Sequence, residues 1–202
     1  MPGVCALIAL GAFSALFSWH ALAGLFLVGA TAVGLFLRDP PRQTPTSANV
    51  IVSAADGRVI EIGQAALAAG QQSFVRIAVF MSLLDVHVNR APVEGQVVAI
   101  EHTPGSFKAA FRDSAAIHNE RNLLLLRDHA GRRFAVMQIA GYLARRIVCT
   151  AGPDQWLTKG ARIGLIMFGS RVDHYLPVEC RVLVRVGDRV RAGETIIGEI
   201  PQ

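Results

Sequence analysis

The stretch Arg181-Val182-Leu183-Val184-Arg185-Val186-Gly187-Asp188-Arg189-Val190-Arg191-Ala192-Gly193-Glu194-Thr195-Ile196-Ile197 places valines at every second position, then breaks at Gly187-Asp188 and again at Gly193-Glu194. Side chains alternate between faces along a strand, so β-branched residues at a period of two, cut by glycine and aspartate, read as short strands and turns. The same signature recurs toward the N-terminus, predicting strands at residues 50–53, 57–62, 73–80, 95–101, 121–128, 133–139 and 163–168. Helical periodicity is weak there, with a turn or two of helix expected at 64–69 and 140–147. Residues 50–202 therefore read as a mainly β (α+β) domain.

Three glycine turns, at Asp56-Gly57, Glu94-Gly95 and Gly187-Asp188, read as hairpins. Residues 186–194 resemble the hammerhead strands of biotinyl and lipoyl carrier domains, which implies a barrel-sandwich-like topology. Such carriers present a modified lysine at a hairpin tip. Neither Lys108 nor Lys159 lies in one of these turns, so a carrier role is not expected.

The first 37 residues contain no Asp, Glu, Lys or Arg, so all 20 basic and 15 acidic residues, and the net charge of +5, belong to the rest. With 52% hydrophobic residues and a mean hydropathy of +0.40, the composition points to a part that lives in lipid. One straight helix over residues 3–37 would be roughly 50 Å long, beyond a hydrocarbon layer of about 30 Å. A break is expected at Ser18-Trp19-His20 in a membrane anchor, residues 1–37, whose two short segments form a tight or partly re-entrant helical hairpin, with a single tilted helix as the alternative. Arg38 and Arg42 follow directly and predict that the next domain stays on the cytoplasmic side of the cell membrane. Arg38-Asp39-Pro40-Pro41-Arg42 ends the helix, and residues 38–49 read as a linker.

Cys5, Cys149 and Cys180 have neither a zinc-binding spacing nor an even number, and His102, His129 and His174 lack mutual ligand spacing, so no metal is expected. Aromatic residues make up 7% of the chain, too few to interleave a basic face for nucleic acid, and no nucleic-acid partner is expected. G-x-S-x-G, P-loop, HExxH and dinucleotide patterns are missing.

Several other stretches carry polar or turn chemistry. In Leu84-Asp85-Val86-His87-Val88-Asn89-Arg90, alternation predicts Asp85, His87 and Asn89 on one face, with His87 as a candidate acid or base. His118-Asn119-Glu120-Arg121-Asn122 crowds five polar residues ahead of an apolar run, as a turn network or part of a site. Phe168-Gly169-Ser170 ends the apolar run 163–167 and taken alone reads as a strand end with a tight turn. Ser53-Ala54-Ala55-Asp56-Gly57 taken alone is an Asp-Gly turn. Pro104-Gly105-Ser106-Phe107-Lys108 reads as a turn beside an aromatic, and Arg145-Arg146 as a solvated pair.

Taken in order, the apolar N-terminus ending in Arg-Asp-Pro, the Ser-Ala-Ala-Asp-Gly turn, residues 85–90, Asn119-Glu120-Arg121-Asn122 and Phe168-Gly169-Ser170-Arg171-Val172-Asp173 resemble the short form, of the archaeal and rhizobial kind, of phosphatidylserine decarboxylase. The resemblance spans nearly the whole chain. It implies a proenzyme that cuts itself between Gly169 and Ser170 into a β chain, 1–169, and an α chain, 170–202, with Ser170 becoming a covalent pyruvoyl group. It implies that this group forms a Schiff base with membrane phosphatidylserine and yields phosphatidylethanolamine, and that the enzyme is a homodimer. By the same resemblance Asp56 serves self-cleavage and His87 assists decarboxylation, with Asp85, Asn89, Arg90 and Glu120 in support. Longer members carry a second histidine where this chain has Arg90, which leaves the base for Ser170 open. A related amino-acid headgroup as substrate, or a membrane-tethered β scaffold without activity, are the alternatives.

Overall fold

The computed structural model describes residues 2–16, 19–67, 73–107, 118–142, 146–167 and 169–201. Ser18, Lys108, Arg145 and Phe168, named above, lie outside the described residues. The chain divides into two compact units, Met1–Pro40 and Pro41–Gln202.

The first unit is two helices, α1 (Pro2–Leu16) and α2 (His20–Phe36), packed on each other. Neither carries a charged residue in its first or last turn, and Arg38 Nη1 donates to the Leu35 carbonyl at the end of α2 (2.7 Å). Apolar residues face outward all round: Ile8, Phe13, Leu16, Leu25, Leu27 and Val28 are more than half exposed. At 15 and 17 residues the helices are about 22 and 26 Å long. Among the described residues no helix is long and apolar enough to cross a membrane.

The second unit is mainly β. Its strands are β1 (Val50–Val52), β2 (Gly57–Ala66), β3 (Ser73–Met81), β4 (Val88–Arg90), β5 (Gly95–Thr103), β6 (Arg121–Arg127), β7 (Arg133–Ile139), β8 (Ile147–Cys149), β9 (Trp156–Leu157), β10 (Arg162–Ile166), β11 (Ser170–Pro177), β12 (Arg181–Val182), β13 (Arg189–Val190) and β14 (Ile196–Glu199). They form an eight-stranded sheet in the order β13-β2-β3-β11-β7-β6-β5-β9 and two three-stranded sheets, β1-β14-β12 and β4-β10-β8. The main core lies on the face of the large sheet that carries Ile77, Val79, Leu124, Leu126, Val136 and Val172, joined by Ile51, Ile163, Ile166 and Ile197 from the small sheets.

Several expectations change. Residues 64–66 continue strand β2, and 140–147 show no helix among the described residues; Ile147 begins β8. Weak local propensity yields there to sheet pairing. The three glycine turns are not hairpins: β1 does not pair with β2, β4 does not pair with β5, and β12 does not pair with β13. At each turn the chain passes from one sheet to another. The hairpin between β6 and β7 is built instead by Asp128, whose Oδ1 accepts from the Ala130 and Arg132 amides (3.0 and 2.9 Å). Residues 41–49 of the expected linker belong to the β unit itself, where Arg42 is ion-paired and the Gln43 amide donates to Glu194 Oε1 (3.0 Å).

The crossing at Gly57 has a steric reason. A Cβ there would lie 2.1 Å from the Phe80 carbonyl oxygen, and its φ of +150° is one that side chains rarely adopt. Gly187, at φ +100°, has open space around it. Gly57→Ala should therefore cost about 3 kcal/mol, from backbone overpacking, against about 1–2 kcal/mol for Gly187→Ala, from backbone conformation alone. Urea unfolding midpoints measure both, and equal losses would remove the steric account.

Candidate functional site

Strand β11 runs between β3 and β7, and all eight of its residues are buried. Its alternation sends Ser170, Val172, His174 and Leu176 toward the main core and Arg171, Asp173 and Tyr175 to the opposite face. Register places Ser170 beside Met81 of β3 and Val172 beside Gln138 of β7, which in turn lies beside Asn122 of β6. Four polar or sulfur-bearing side chains thus collect at one end of the core-facing side of the sheet.

Asn89, from β4, completes the cluster. Asn122 Nδ2 donates to Gln138 Oε1 (3.1 Å), and Gln138 Nε2 donates to Asn89 Oδ1 (2.9 Å). Asn89 Nδ2 then points at Met81 Sδ (3.7 Å), the same sulfur to which Ser170 Oγ donates at 3.5 Å. Every member is at most 3% exposed. Just before Ser170, Gly169 has φ +61° with open space where a Cβ would stand, so its backbone, not crowding, calls for glycine.

His87 is buried two residues before Asn89. Its Nδ1 lies 2.8 Å from the Asp85 carbonyl, which makes Nδ1 the N–H donor and leaves Nε2 as the basic nitrogen. The predicted common face of Asp85, His87 and Asn89 does not form, because residues 83–85 turn. Asp85 Oδ2 folds back to accept from the Ser82 amide (2.8 Å) and hydroxyl (2.6 Å). Glu120 engages His102 (3.8 Å), which lies on β5 in register with Asn122.

Asp56 is held by other groups. Its Oδ1 accepts from the Ala192 amide (2.7 Å) and its Oδ2 from Arg42 Nη2 (3.0 Å), while Arg42 also faces Glu194 (3.7 Å). Arg90 Nη1 donates to the Gly160 carbonyl (3.0 Å), and its backbone amide donates to the Ala54 carbonyl (2.9 Å). His174 links this turn to β11: Nε2 accepts from the Ala54 amide (2.7 Å) and Nδ1 donates to the Ile77 carbonyl (3.0 Å). Burial pushes its imidazole down to about 4, so it is neutral at pH 7. On the outer face, Arg171 grips Asp173 through Nε (2.5 Å) and Nη2 (2.9 Å), with Glu61 and Arg76 alongside. Burial pushes the Asp173 carboxyl up, against the pull of Arg171.

The structure thus brings Ser170 and Asn89 to one sulfur, places His87 two residues away along the chain, and sets Asp56 and Arg90 around the Ala54 turn. Sequence reasoning missed Met81, Gln138, His174 and Arg42 as parts of the site. Gln138 did leave a signal: it is the one polar residue between the arginine and the isoleucine that bound β7.

A family model described as phosphatidylserine decarboxylase matches residues 30–198. A protein of Geotalea uraniireducens named phosphatidylserine decarboxylase proenzyme is 44% identical over 187 residues, covering 93% of this chain and 88% of its own. Proteins of the same name from Beijerinckia indica and Mycobacterium avium are 46% identical over 185 residues and 44% over 187. Those alignments cover 90% and 91% of this chain, and 79% and 77% of theirs.

The depressed His174 value sets a pH dependence. An unfolded histidine takes up its proton near 6.5 while the folded one resists until about 4, so stability present above pH 6.5 is lost as pH falls toward 4. The full effect is about 3 kcal/mol. His174→Leu, which leaves the Ala54 amide unpaired, should be less stable at pH 7.5 but flatter between pH 6.5 and 4.5. Parallel stability curves for the two proteins would rule out this origin.

Proposed function

The chain belongs to the phosphatidylserine decarboxylase family, and from that premise we propose how its own residues make and use the reactive group. The enzyme releases carbon dioxide from phosphatidylserine and leaves phosphatidylethanolamine, a step of phospholipid biosynthesis. The observation that carries the mechanism is the junction at 169–170: a left-handed Gly169 followed by a buried serine whose hydroxyl donates to a thioether. Sulfur is a weak acceptor, so this hydroxyl is loosely held in a dry site.

In the proposed maturation the Ser170 hydroxyl gives up its proton and attacks the Gly169 carbonyl carbon. The peptide C–N bond breaks, the amine takes a proton, and an ester remains. Removal of the Ser170 Cα proton expels the Gly169 carboxylate, and water then displaces ammonia. The residues present fit a pyruvoyl group at this position, since the buried Asn89 N–H converges with the serine on one poor acceptor and a carbonyl would offer a better one. A pyruvoyl group there supplies an electrophilic carbonyl that draws off electrons as the substrate carboxylate departs.

His87 carries the proton work. Its Nδ1–H is tied to the Asp85 carbonyl, so Nε2 is the nitrogen that takes and returns a proton. We assign it both the activation of Ser170 and the protonation that follows loss of carbon dioxide. Arg90, where longer relatives carry a histidine, cannot act as a base. Asp56, engaged by Arg42 and Ala192, supports self-cleavage by holding the turn that His174 joins to β11.

The apolar helical hairpin favours insertion into the cytoplasmic leaflet, its uncharged surface in the acyl region and Arg38 at the headgroups. A substrate confined to the bilayer then meets an enzyme held at the same surface. The proposed assembly is two chains of one proenzyme, 1–169 and 170–202, paired as a homodimer.

Intact mass spectrometry tests the scheme. The purified enzyme should contain a fragment of residues 170–202, lighter by one ammonia than the same fragment with a free N-terminal serine. An active preparation made wholly of uncut chain would sink the pyruvoyl route. Ser170→Ala should stay uncut and inactive, and His87→Ala should slow both self-cleavage and turnover by roughly 100-fold or more. Normal self-cleavage in His87→Ala would confine His87 to the second step.

A further inference from the structure

The buried amide array has a direction. Gln138 Nε2 donates to Asn89 Oδ1, and Gln138 Oε1 accepts from Asn122 Nδ2, so the Asn89 N–H is driven toward Met81 Sδ. The reverse direction would turn the Asn89 oxygen onto the sulfur lone pairs, with no hydrogen bond gained. In the uncut chain two donors, Asn89 Nδ2 and Ser170 Oγ, therefore share one thioether. A fully buried amide N–H served by sulfur alone is under-satisfied. Conversion of Ser170 removes one donor and brings in a carbonyl acceptor.

We propose that Asn89 is the hydrogen-bond donor to the carbonyl oxygen at position 170 of the self-cleaved enzyme, with Gln138 and Asn122 as positioning residues that aim it. The inference rests on the pyruvoyl reading above. The Asn89 donor polarises the carbonyl and stabilises the negative charge that gathers on its oxygen when an amine adds. Its aim depends on Gln138 being able to donate, which a carboxylate cannot do and a carboxylic acid can.

Gln138→Glu therefore separates this role from packing. Hydroxylamine serves as the probe: its addition to the position-170 carbonyl is followed by the mass of the 170–202 fragment across pH, beside thermal melting of the same samples. At low pH the protonated carboxyl introduced by Gln138→Glu donates to Asn89, and reactivity matches the unaltered enzyme. As the carboxylate ionises, Asn89 turns over and reactivity falls, by roughly 100-fold relative to the unaltered enzyme at the same pH. Gln138→Met, which neither donates nor ionises, should show a pH-independent loss of roughly tenfold. Reactivity that tracks the unaltered enzyme in both variants, or that rises with pH in Gln138→Glu, overturns the proposal. So does a folded variant that stays uncut, since the array would then serve the serine and not the carbonyl. If the unaltered protein itself gives no 170–202 fragment, it is the pyruvoyl reading that fails.

Discussion

Strand β11 is buried along its whole length, and every polar group on it must find its partner inside the protein. Four of its eight residues are Ser, Arg, Asp and His, an unusual load for a central strand. Each is met differently: Arg171 and Asp173 neutralise each other, His174 is held between two backbone groups, and Ser170 meets a sulfur. The first two arrangements are tight. The last is the weakest hydrogen bond of the set, and it falls on the residue whose bond to Gly169 is the proposed point of cleavage.

This distribution separates anchoring from reaction. The Arg171–Asp173 pair and its neighbours Glu61 and Arg76 lie on the outer face, where breaking one partner would leave a buried charge. His174, on the inner face, ties the strand to the Ala54 turn and so to Asp56, Arg42 and the crossing at Gly57. The ion pair and the His174 ties thus lie one to four residues beyond the Gly169–Ser170 junction. Gly169, with open space beside it, leaves the proposed cleavage junction sterically uncrowded.

Much of the strand pattern was legible in sequence because period-two alternation is a local property. Residues 133–139 form a strand over the bounds expected for it, and 57–62, 73–80 and 95–101 were strands that simply ran longer. Strand β11 itself was hidden, since Arg171, Asp173 and His174 break the apolar signal of a buried strand. The glycine turns were legible as turns but misread as hairpins, because whether two strands pair depends on where the rest of the sheet lies. Asp85 was placed on the face of His87 by alternation that assumed an extended chain, and the Ser82 turn removed that assumption.

The sequence by itself determined an uncharged apolar hairpin, a β-rich remainder, and the ordered motifs around Asp56, His87 and Gly169-Ser170 that mark the family. These are matters of composition, period and local order. Tertiary structure alone decided that Asn122, Gln138, Asn89, Met81 and Ser170 form one buried line, because its members come from five strands and meet through register. It also decided which way that line points. The direction of an amide is set by its partners' hydrogen bonds, and no spacing along the chain encodes it.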